Sequence, residues 1–441
     1  MLSAQSEAIN GSDCDLDLPS GVGSGILPSA GGDMANIGYI QVVRHCNHFC
    51  GFCSNPTTPY VHTFDSVKVL VDDFVSRGYF GVILTGGEPT LHDELPRIAG
   101  YARDQGLHVR MITNGWRMSD PRFAKEMADA GLQHMHVSVY SHYPEVEAQL
   151  RGMPKTLGKA QAAVGNALEN GIAVNINCVI NQLNCDHLHE TIEWWIENHP
   201  GVRHFVWNNL DPSMGRAEVN QDQFLHRLAD FEWSLTEACR LLHESGRTFR
   251  VEKVPLCYMT DYAWASTETR KIVKGEERIV HFLDDKQTVR QTTWGHKYVD
   301  ACRSCSVQEI CGGLFDRGDG YDSDELSPVF VDMDRIVEQI IMDPSDPSYK
   351  LRSMSAWKTD FERRQLAAQT DAEHDARKSS APPTNVGSIE VGKVTTEGLR
   401  IFQRKRRTEG RQAERHGVKL ENDRVTRKGA SVALAPASPD T

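Results

Sequence analysis

Short apolar, β-branched runs alternate with amphipathic stretches along the chain from residue 37 to residue 244. The runs have the length of strands, and the stretches between them carry apolar residues at helical spacing. In the first stretch, Val67, Val71 and Phe74 fall on one helical face. Strands that alternate with helices of this length are typical of parallel βα units. The pattern therefore predicts an α/β protein built from six such units.

The predicted elements follow one another in strict alternation. The strands are 37–43, 80–85, 108–113, 133–140, 173–180 and 204–208. The helices are 66–77, 96–105, 121–130, 159–170, 187–198 and 221–244. One more strand is predicted at 250–254, where the alternation stops. Because the βα loops of a parallel barrel gather at the carboxyl ends of its strands, functional residues are expected at that rim.

Changes in the pattern set the expected domain boundaries. Residues 1–36 are poor in large apolar side chains and are predicted to be disordered. Residues 37–248 hold the six units, and residues 249–345 form a smaller second domain. Residues 346–441 are polar, with a basic run at 404–407, and a largely disordered tail is predicted there.

The composition and charge of the chain argue against several classes of function. The net charge of −12 argues against a general nucleic-acid binder. The basic run could contact RNA or a membrane surface, but a solvated tail is the simpler interpretation. The sequence has no apolar run of membrane-spanning length and no signal-peptide pattern, so a cytoplasmic protein is expected. Six of the eleven cysteines lie in two tight motifs, which indicates metal binding rather than disulfides.

The first cysteine motif comes directly after the first predicted strand. Cys46, Cys50 and Cys53 have CxxxCxxC spacing. Three thiolates on one loop can hold three irons of a cubane [4Fe–4S] cluster and leave the fourth iron without a protein ligand. Soft thiolates suit zinc equally well, and His45 or His48 could then supply the fourth ligand. The spacing alone does not choose between these metals.

A second motif, Gly86-Gly87-Glu88-Pro89, ends the second predicted strand, so both motifs lie at one rim of the predicted barrel. Together they resemble the radical S-adenosylmethionine (SAM) superfamily, over about residues 37–244. The resemblance implies a partial (βα)6 barrel similar to a TIM barrel, a cluster on the three cysteines, and a GGEP segment that holds the amino group of SAM. It also implies cleavage of SAM to a 5′-deoxyadenosyl radical. A zinc site would have no use for the GGEP segment.

The resemblance assigns three further SAM contacts. Phe52 matches the aromatic position whose backbone lies against the adenine. Ser138, near the end of the fourth strand, resembles the residue that contacts the ribose. Arg151 resembles the arginine that pairs with the SAM carboxylate. Each of the three also has an ordinary structural explanation, namely loop packing, barrel lining and a surface arginine.

On the fifth strand, Asn175 and Asn177 alternate with apolar residues. Because a buried amide needs hydrogen-bond partners, both are expected to point into the barrel, towards SAM or substrate. The same alternation places Cys178 on the helix-packing face. Cys185 follows this strand at the rim, where a thiyl or acid role is conceivable. Cys14 and Cys239 are interpreted as bystanders.

The second cysteine motif, Cys302, Cys305 and Cys311 followed by two glycines, resembles the SPASM and twitch auxiliary domains of radical SAM enzymes. No cysteine follows Cys311, and Cys257 is the nearest upstream candidate for a fourth ligand. Four cysteines satisfy one [4Fe–4S] cluster. A closed auxiliary cluster suits electron transfer, whereas a missing ligand would suit substrate binding. Half of a zinc ribbon is the alternative.

These resemblances imply an oxidoreductase-type enzyme that abstracts hydrogen from a C–H bond. We expect oxidation or cross-linking of a ribosomal peptide, with oxidation of a small-molecule sugar or aminocyclitol as the alternative. A non-catalytic iron–sulfur or zinc scaffold is a third possibility. The expected partners are an electron donor such as flavodoxin or ferredoxin and a separate peptide-recognition protein. No residue is assigned to catalytic proton transfer.

Overall fold

The computed structural model describes residues 37–55, 58–281, 288–315, 320–344, 349–379, 418–421 and 424–427. The predictions for residues 1–36, Cys14 and the basic run at 404–407 lie outside these ranges. The chain divides into two compact units, residues 1–369 and 370–441. In the second unit, the antiparallel strands Val418–Glu421 and Arg424–Arg427 form a hairpin. Within the described ranges, every helix is too short or too polar to span a bilayer.

The first unit is built on one nine-stranded sheet. Its strands are β1 (Ile37–Val43), β2 (Gly81–Gly86), β3 (His108–Thr113), β4 (His134–Ser138), β5 (Ala173–Ile180), β6 (His204–Asn209), β7 (Thr248–Glu252), β8 (Arg278–His281) and β9 (Thr288–Gln291). The order across the sheet is β7-β6-β5-β4-β3-β2-β1-β8-β9. All neighbours are parallel except β8 and β9, so the carboxyl ends of β1 to β8 share one edge.

Twelve α-helices connect and cover the strands within the described ranges. They are α1 (Phe64–Ser76), α2 (Leu95–Asp104), α3 (Pro121–Ala130), α4 (Pro144–Arg151), α5 (Thr156–Glu169), α6 (Leu188–Asn198), α7 (Gly215–Val219), α8 (Gln221–Phe224), α9 (Leu228–Glu244), α10 (Thr267–Lys274), α11 (Met333–Ile341) and α12 (Met354–Ser379). The predicted helix 221–244 is two helices, because residues 225–227 leave the helical path. The sequence pattern predicted no helix at the position of α4.

Period-two alternation places one set of strand side chains against the helices and the other set inside the barrel. On β3, Val109 and Met111 are fully buried in the core that also contains Ala99 of α2. His108 and Arg110 alternate with them on the opposite face. The inner face is mixed, because Ile112 of the same strand also lines the cavity there.

The sheet continues beyond the six predicted units. β7 pairs with β6, and β8 pairs with β1 on the other side, so residues after 248 extend both edges. The boundary predicted between residues 248 and 249 falls inside β7. These strands have only five and four residues. Runs this short give little periodicity to detect in the sequence.

Helix α12 begins where the disordered tail was predicted. Its first turns are docked on the first unit, because Trp357 is buried and its indole nitrogen donates to the Val273 carbonyl at 2.8 Å. Arg364 donates to the carbonyls of Ile272 and Val273, each at 2.9 Å. Both carbonyls belong to the last turn of α10, where the ordinary helical donors end. The Ile272 carbonyl also accepts the Gly275 N–H at 3.3 Å. The tail that was predicted to be largely disordered thus contains a helix, which contacts α10 through residues 357 and 364.

We predict that Trp357→Ala lowers the free energy of unfolding by about 3–5 kcal/mol, because it removes a buried indole and a cap of α10. Urea unfolding followed by circular dichroism measures the change. Phe330→Ala is the matched control, since that ring is 75% exposed, and it should be close to neutral. Equal stability of both variants would contradict the docked position of α12.

Candidate functional site

Most of the predicted cofactor residues meet at one cavity of about 170 Å³ at the carboxyl edge of the sheet. Its walls include the three cysteines of the first motif and five of the predicted SAM contacts. These are Cys46, Cys50, Cys53, Gly86, Gly87, Glu88, Ser138 and Arg151. Pro89 lies buried behind them, at the start of a short 3-10 helix. We call this space the cofactor cavity.

Main-chain contacts fasten the two motifs to each other. The Gly87 N–H donates to the Val43 carbonyl at 2.8 Å, and the Glu88 N–H donates to the His45 carbonyl at 3.0 Å. A Cβ atom at Gly86 would lie 2.0 Å from the Val43 oxygen, and one at Gly87 would lie 2.1 Å from the His45 oxygen. Gly86 also has a φ of +146°. Both glycines are therefore required by the approach of β2 to the cysteine loop.

The Glu88 carboxylate is an internal brace. It is buried and accepts bonds from the Thr90 N–H, the Thr90 and Thr113 hydroxyls, and the Asn114 N–H, at 2.6–3.1 Å. Burial raises the pKa of this carboxyl, and the four hydrogen bonds act in the opposite direction. Its oxygens therefore join the loops after β2 and β3.

Arg151 is fully buried and forms an ion pair with Glu147, one helical turn earlier. Its guanidinium also donates to the Ser138 carbonyl and lies 3.2 Å from Nδ1 of His48. The Glu147 carboxylate accepts the N–H groups of Tyr140 and Ser141. The pair thus holds the end of β4 against the cysteine loop, while Arg151 reaches the cofactor cavity.

His48, a candidate fourth ligand in the zinc alternative, has Nδ1 3.2 Å from the Arg151 guanidinium. Burial and the nearby Arg151 charge lower the pKa of His48 to about 3. Burial also raises the pKa of Cys50 to about 12, so binding of a metal or cluster there must release a proton. Within the described part of the chain, no three His, Cys, Asp or Glu side chains close around the position of a single ion.

Three polar residues support the cysteine loop although the sequence gave little sign of them. Asn114 donates to the Asn47 amide oxygen at 2.8 Å. Arg216 donates to the Cys50 carbonyl at 2.7 Å, and Asn220 donates to the Gly51 carbonyl at 2.9 Å. Asn114 precedes Gly115 directly after β3, which is a turn signal at the correct rim. Arg216 and Asn220 lie in a long connection with no such signal.

A larger cavity of about 440 Å³ fills the barrel lumen next to the cofactor cavity. We call it the barrel cavity. Five residues line both spaces, so the two adjoin: Cys50, Cys53, Asn55, Ile112 and Tyr140. Phe52 lines the barrel cavity, with its ring edge-on to Tyr140 at 4.8 Å between centroids.

The asparagines of β5 point into the barrel, as expected. Asn177 lines the barrel cavity and accepts a bond from Asn208 at 2.9 Å, while Asn175 lies 3.4 Å from His136. Cys178 is buried in the apolar core. Cys185 is also buried and lines neither cavity, and burial raises its pKa to about 12, so a thiyl or acid role at the rim is not supported. Cys239 is buried within α9.

The second cysteine group converges on a small cavity of about 20 Å³. Cys257, Cys302, Cys305 and Cys311 all line it, so Cys257 lies with the other three. The Gly313 N–H donates to the Cys311 sulfur at 3.3 Å, and the Val329 N–H donates to the Cys305 sulfur at 3.5 Å. Amide donors to sulfur and four converging thiols fit a [4Fe–4S] cluster.

Comparisons with known proteins find similarity over part of the chain. Residues 40–194 match the Radical SAM superfamily. The chain is 28% identical to Fe-coproporphyrin III synthase of Methanosarcina barkeri over 210 residues, which are 47% of this chain and 52% of that protein. It is 27% identical to PqqA peptide cyclase of Xanthomonas campestris over 166 residues, 36% and 44% of the two chains. The chain thus spans about half the length of the curated relatives it matches.

Among solved structures, Streptococcus suis SuiB bound to the precursor peptide SuiA superposes with a TM-score of 0.51 at 14% identity, covering 67% of this chain and 76% of that one. The complex of SuiB with S-adenosylmethionine gives 0.50 at 15% identity, with 67% and 77% covered. At this identity the likeness concerns the fold.

We predict that Glu88→Ala lowers the free energy of unfolding by about 3 kcal/mol, because four buried donors lose their acceptor. Urea unfolding at pH 7 measures the loss. Glu94→Ala is the control, since this exposed carboxylate pairs only with exposed Arg97 among the contacts described. If both variants matched the parent chain, the bracing role of Glu88 would be wrong.

Proposed function

We propose that this chain, whose residues 40–194 form a radical SAM domain, reductively cleaves SAM and abstracts hydrogen from a C–H bond of a ribosomally made peptide. The observation that carries the proposal is the shared wall between the cofactor cavity and the barrel cavity. Since five residues line both cavities, a substrate group in the barrel cavity would lie next to the cofactors.

The residues fit the cofactors that the family implies. Cys46, Cys50 and Cys53 would hold the cluster, and Gly86 and Gly87 would leave room for the SAM amino group. When bound, the cluster supplies the electron whose transfer cleaves SAM to a 5′-deoxyadenosyl radical.

The rest of the chain orients the reactants and excludes water. The buried Arg151 would face the SAM carboxylate with a charge that Glu147 partly balances, so binding would not require an isolated buried cation. The edge-on pair of Phe52 and Tyr140 forms an apolar part of the wall beside the cofactors. Ser138 and Asn177 remain the proposed polar contacts of SAM or substrate.

The auxiliary site is proposed to accept an electron from the substrate radical. This part of the proposal is supported by how close the two sites lie along the chain. Glu252 and Lys253 line the barrel cavity, and Pro255 and Cys257 line the small cavity of the second cysteine group. A closed cluster on four cysteines would have no open iron, which suits electron transfer rather than substrate binding. A flavodoxin or ferredoxin donor and a separate peptide-recognition protein belong to the same proposal.

Peptide modification is supported by the similarity to PqqA peptide cyclase and by the fold of SuiB, which binds a precursor peptide. A second candidate is modification of an iron porphyrin, since Fe-coproporphyrin III synthase and heme synthase of Methanosarcina barkeri are also similar. Titration with Fe-coproporphyrin III separates the two candidates. A shift of the porphyrin absorption band that saturates at one equivalent would favour the second candidate.

We predict about eight irons and eight sulfides in the anaerobically reconstituted protein, from two cubane clusters. The triple variant Cys46→Ala, Cys50→Ala and Cys53→Ala should retain about four irons and release no 5′-deoxyadenosine from SAM after reduction with dithionite. Iron analysis and chromatography measure both. Cys239→Ala is the control, because that thiol is buried away from both sites. Zinc in place of iron, or methylthioadenosine as the main product, would contradict the proposal.

The auxiliary cysteines should separate radical formation from turnover. We predict that Cys257→Ala lowers iron content by up to about four atoms and preserves release of 5′-deoxyadenosine from SAM, because only the first cluster cleaves SAM. Iron analysis and SAM cleavage are compared with those of Cys302→Ala. Unchanged iron in Cys257→Ala alone would remove this residue from the site and leave the auxiliary cluster with three protein ligands.

A further inference from the structure

Lys253 adopts an unusual backbone conformation directly after β7. Its φ is +64°, and Lys155 is the one other non-glycine residue with positive φ in the described ranges. L-residues other than glycine adopt this region at a cost, because Cβ approaches the backbone too closely. Such strain persists only where the surroundings enforce it, and it is concentrated at functional sites.

Contacts on both sides of Lys253 hold its backbone in this conformation. Its N–H donates to Oε1 of Glu268 at 3.1 Å, and Glu268 is buried in the first turn of α10. Glu268 also packs closely on the segment after the auxiliary cysteines. A Cβ atom placed on Gly312 would lie 2.7 Å from the Cβ of Glu268. The preceding residue, Glu252, is fixed by an ion pair with Arg278. The backbone of Lys253 is therefore held where the barrel meets the auxiliary segment.

The side chain of Lys253 lines the barrel cavity. Its ammonium nitrogen lies 4.5 Å from the ring centroid of Phe315, four residues beyond Cys311. An aromatic face stabilises a cation but does not neutralise its charge. The wall has two further cations, Arg250 and Arg278, which pair with Asp343 and Glu252. Against the effect of burial, the charges of Arg278 and Lys253 lower the pKa of the neighbouring Glu252, whose ion-pair contact is with Arg278. No carboxylate of the described residues lies within ion-pair distance of the Lys253 ammonium itself.

We propose that Lys253 is a substrate-positioning residue, and that the substrate carries a carboxylate which pairs with its ammonium group in the barrel cavity. The inference deepens the proposed function, on which it rests, by naming the substrate class. An ammonium with no carboxylate at ion-pair distance among the described residues can pair with one substrate carboxylate, and the fixed backbone presents it beside the wall that contains Cys50, Cys53 and Phe52. The anchored group would hold the neighbouring C–H bond of the substrate near the cofactors.

The test measures binding and needs no radical chemistry. The reconstituted full chain with SAM is titrated, at constant ionic strength, with the peptides Ac-Gly-Glu-Gly-NH2, Ac-Gly-Gln-Gly-NH2 and Ac-Gly-Gln-Gly-OH, and with glutarate. Ligand-observed NMR reports the affinities. We expect at least one carboxylate probe to bind and the neutral peptide to bind on the order of 10-fold more weakly, as a charged hydrogen bond predicts. The probe that binds best distinguishes a side-chain carboxylate, a peptide C-terminus and a free acid.

Variants assign this preference to Lys253. Lys253→Met should abolish the preference for carboxylate, and Lys253→Arg should retain most of it. Lys155→Met is the matched control, because it removes a lysine of the same backbone conformation that lines neither cavity. A carboxylate preference that survives Lys253→Met, or that Lys155→Met removes equally, would overturn the proposal. So would equal binding of the charged and neutral probes.

A glycine variant separates function from folding. Lys253→Gly and Lys155→Gly should both raise the melting temperature by about 2 °C, because glycine relieves the same backbone cost. Lys253→Gly should nevertheless lose the carboxylate preference, while Lys155→Gly keeps it. A more stable Lys253→Gly variant with unchanged preference would leave Lys253 without a role in substrate binding. Failure of SAM cleavage would instead contradict the proposed function and leave these binding results standing.

Discussion

The close approach of the ends of β1 and β2 is the constraint on which the rest of the site depends. Two N–H groups of the Gly86–Glu88 segment bond to carbonyls of the loop that carries the cysteines. These bonds form only if positions 86 and 87 lack side chains. The Glu88 carboxylate then extends the same arrangement to the loop after β3, through Asn114. Three βα loops are thereby fixed to one another before any cofactor binds, which is the preorganisation that a site for charged ligands requires.

Strong periodicity made much of the barrel predictable. Strands β1, β3 and β5 begin and end where the sequence pattern places them, because each alternates regularly over six to eight residues. Strand β7 was predicted two residues late and β8 was not predicted, since the pairing that stabilises them comes from distant parts of the chain. Helix α12 was missed for a related reason. Its one apolar anchor, around Trp357, is followed by polar residues, and its docking depends on carbonyls of α10.

The site residues were predictable where the chemistry requires a fixed spacing along the sequence. They were not predictable where contacts between distant residues set the role of a side chain. The cysteines, Gly86 and Gly87 were found from local motifs, and the structure brings them together. The role of Glu88 as a brace could not be read from the sequence, because it depends on donors from residues 113 and 114. Lys253 lies in no recognisable sequence motif. Its conformation follows from a carboxylate fifteen residues further on and from a ring beyond the second cysteine group.

Helix α12 caps the last turn of α10, and α10 contributes to the wall of the barrel cavity, so the cavity depends on residues far along the chain. The first turn of α10 contains Thr267, which lines that cavity, and Glu268, which holds the Lys253 backbone. Its last turn is completed by Trp357 and Arg364. A chain that stopped before residue 354 would keep every cysteine of both groups and still lose the support of the helix behind the cavity. The smallest functional piece of this protein is therefore set by a segment that bears no cofactor ligand, and it extends well past the last cysteine.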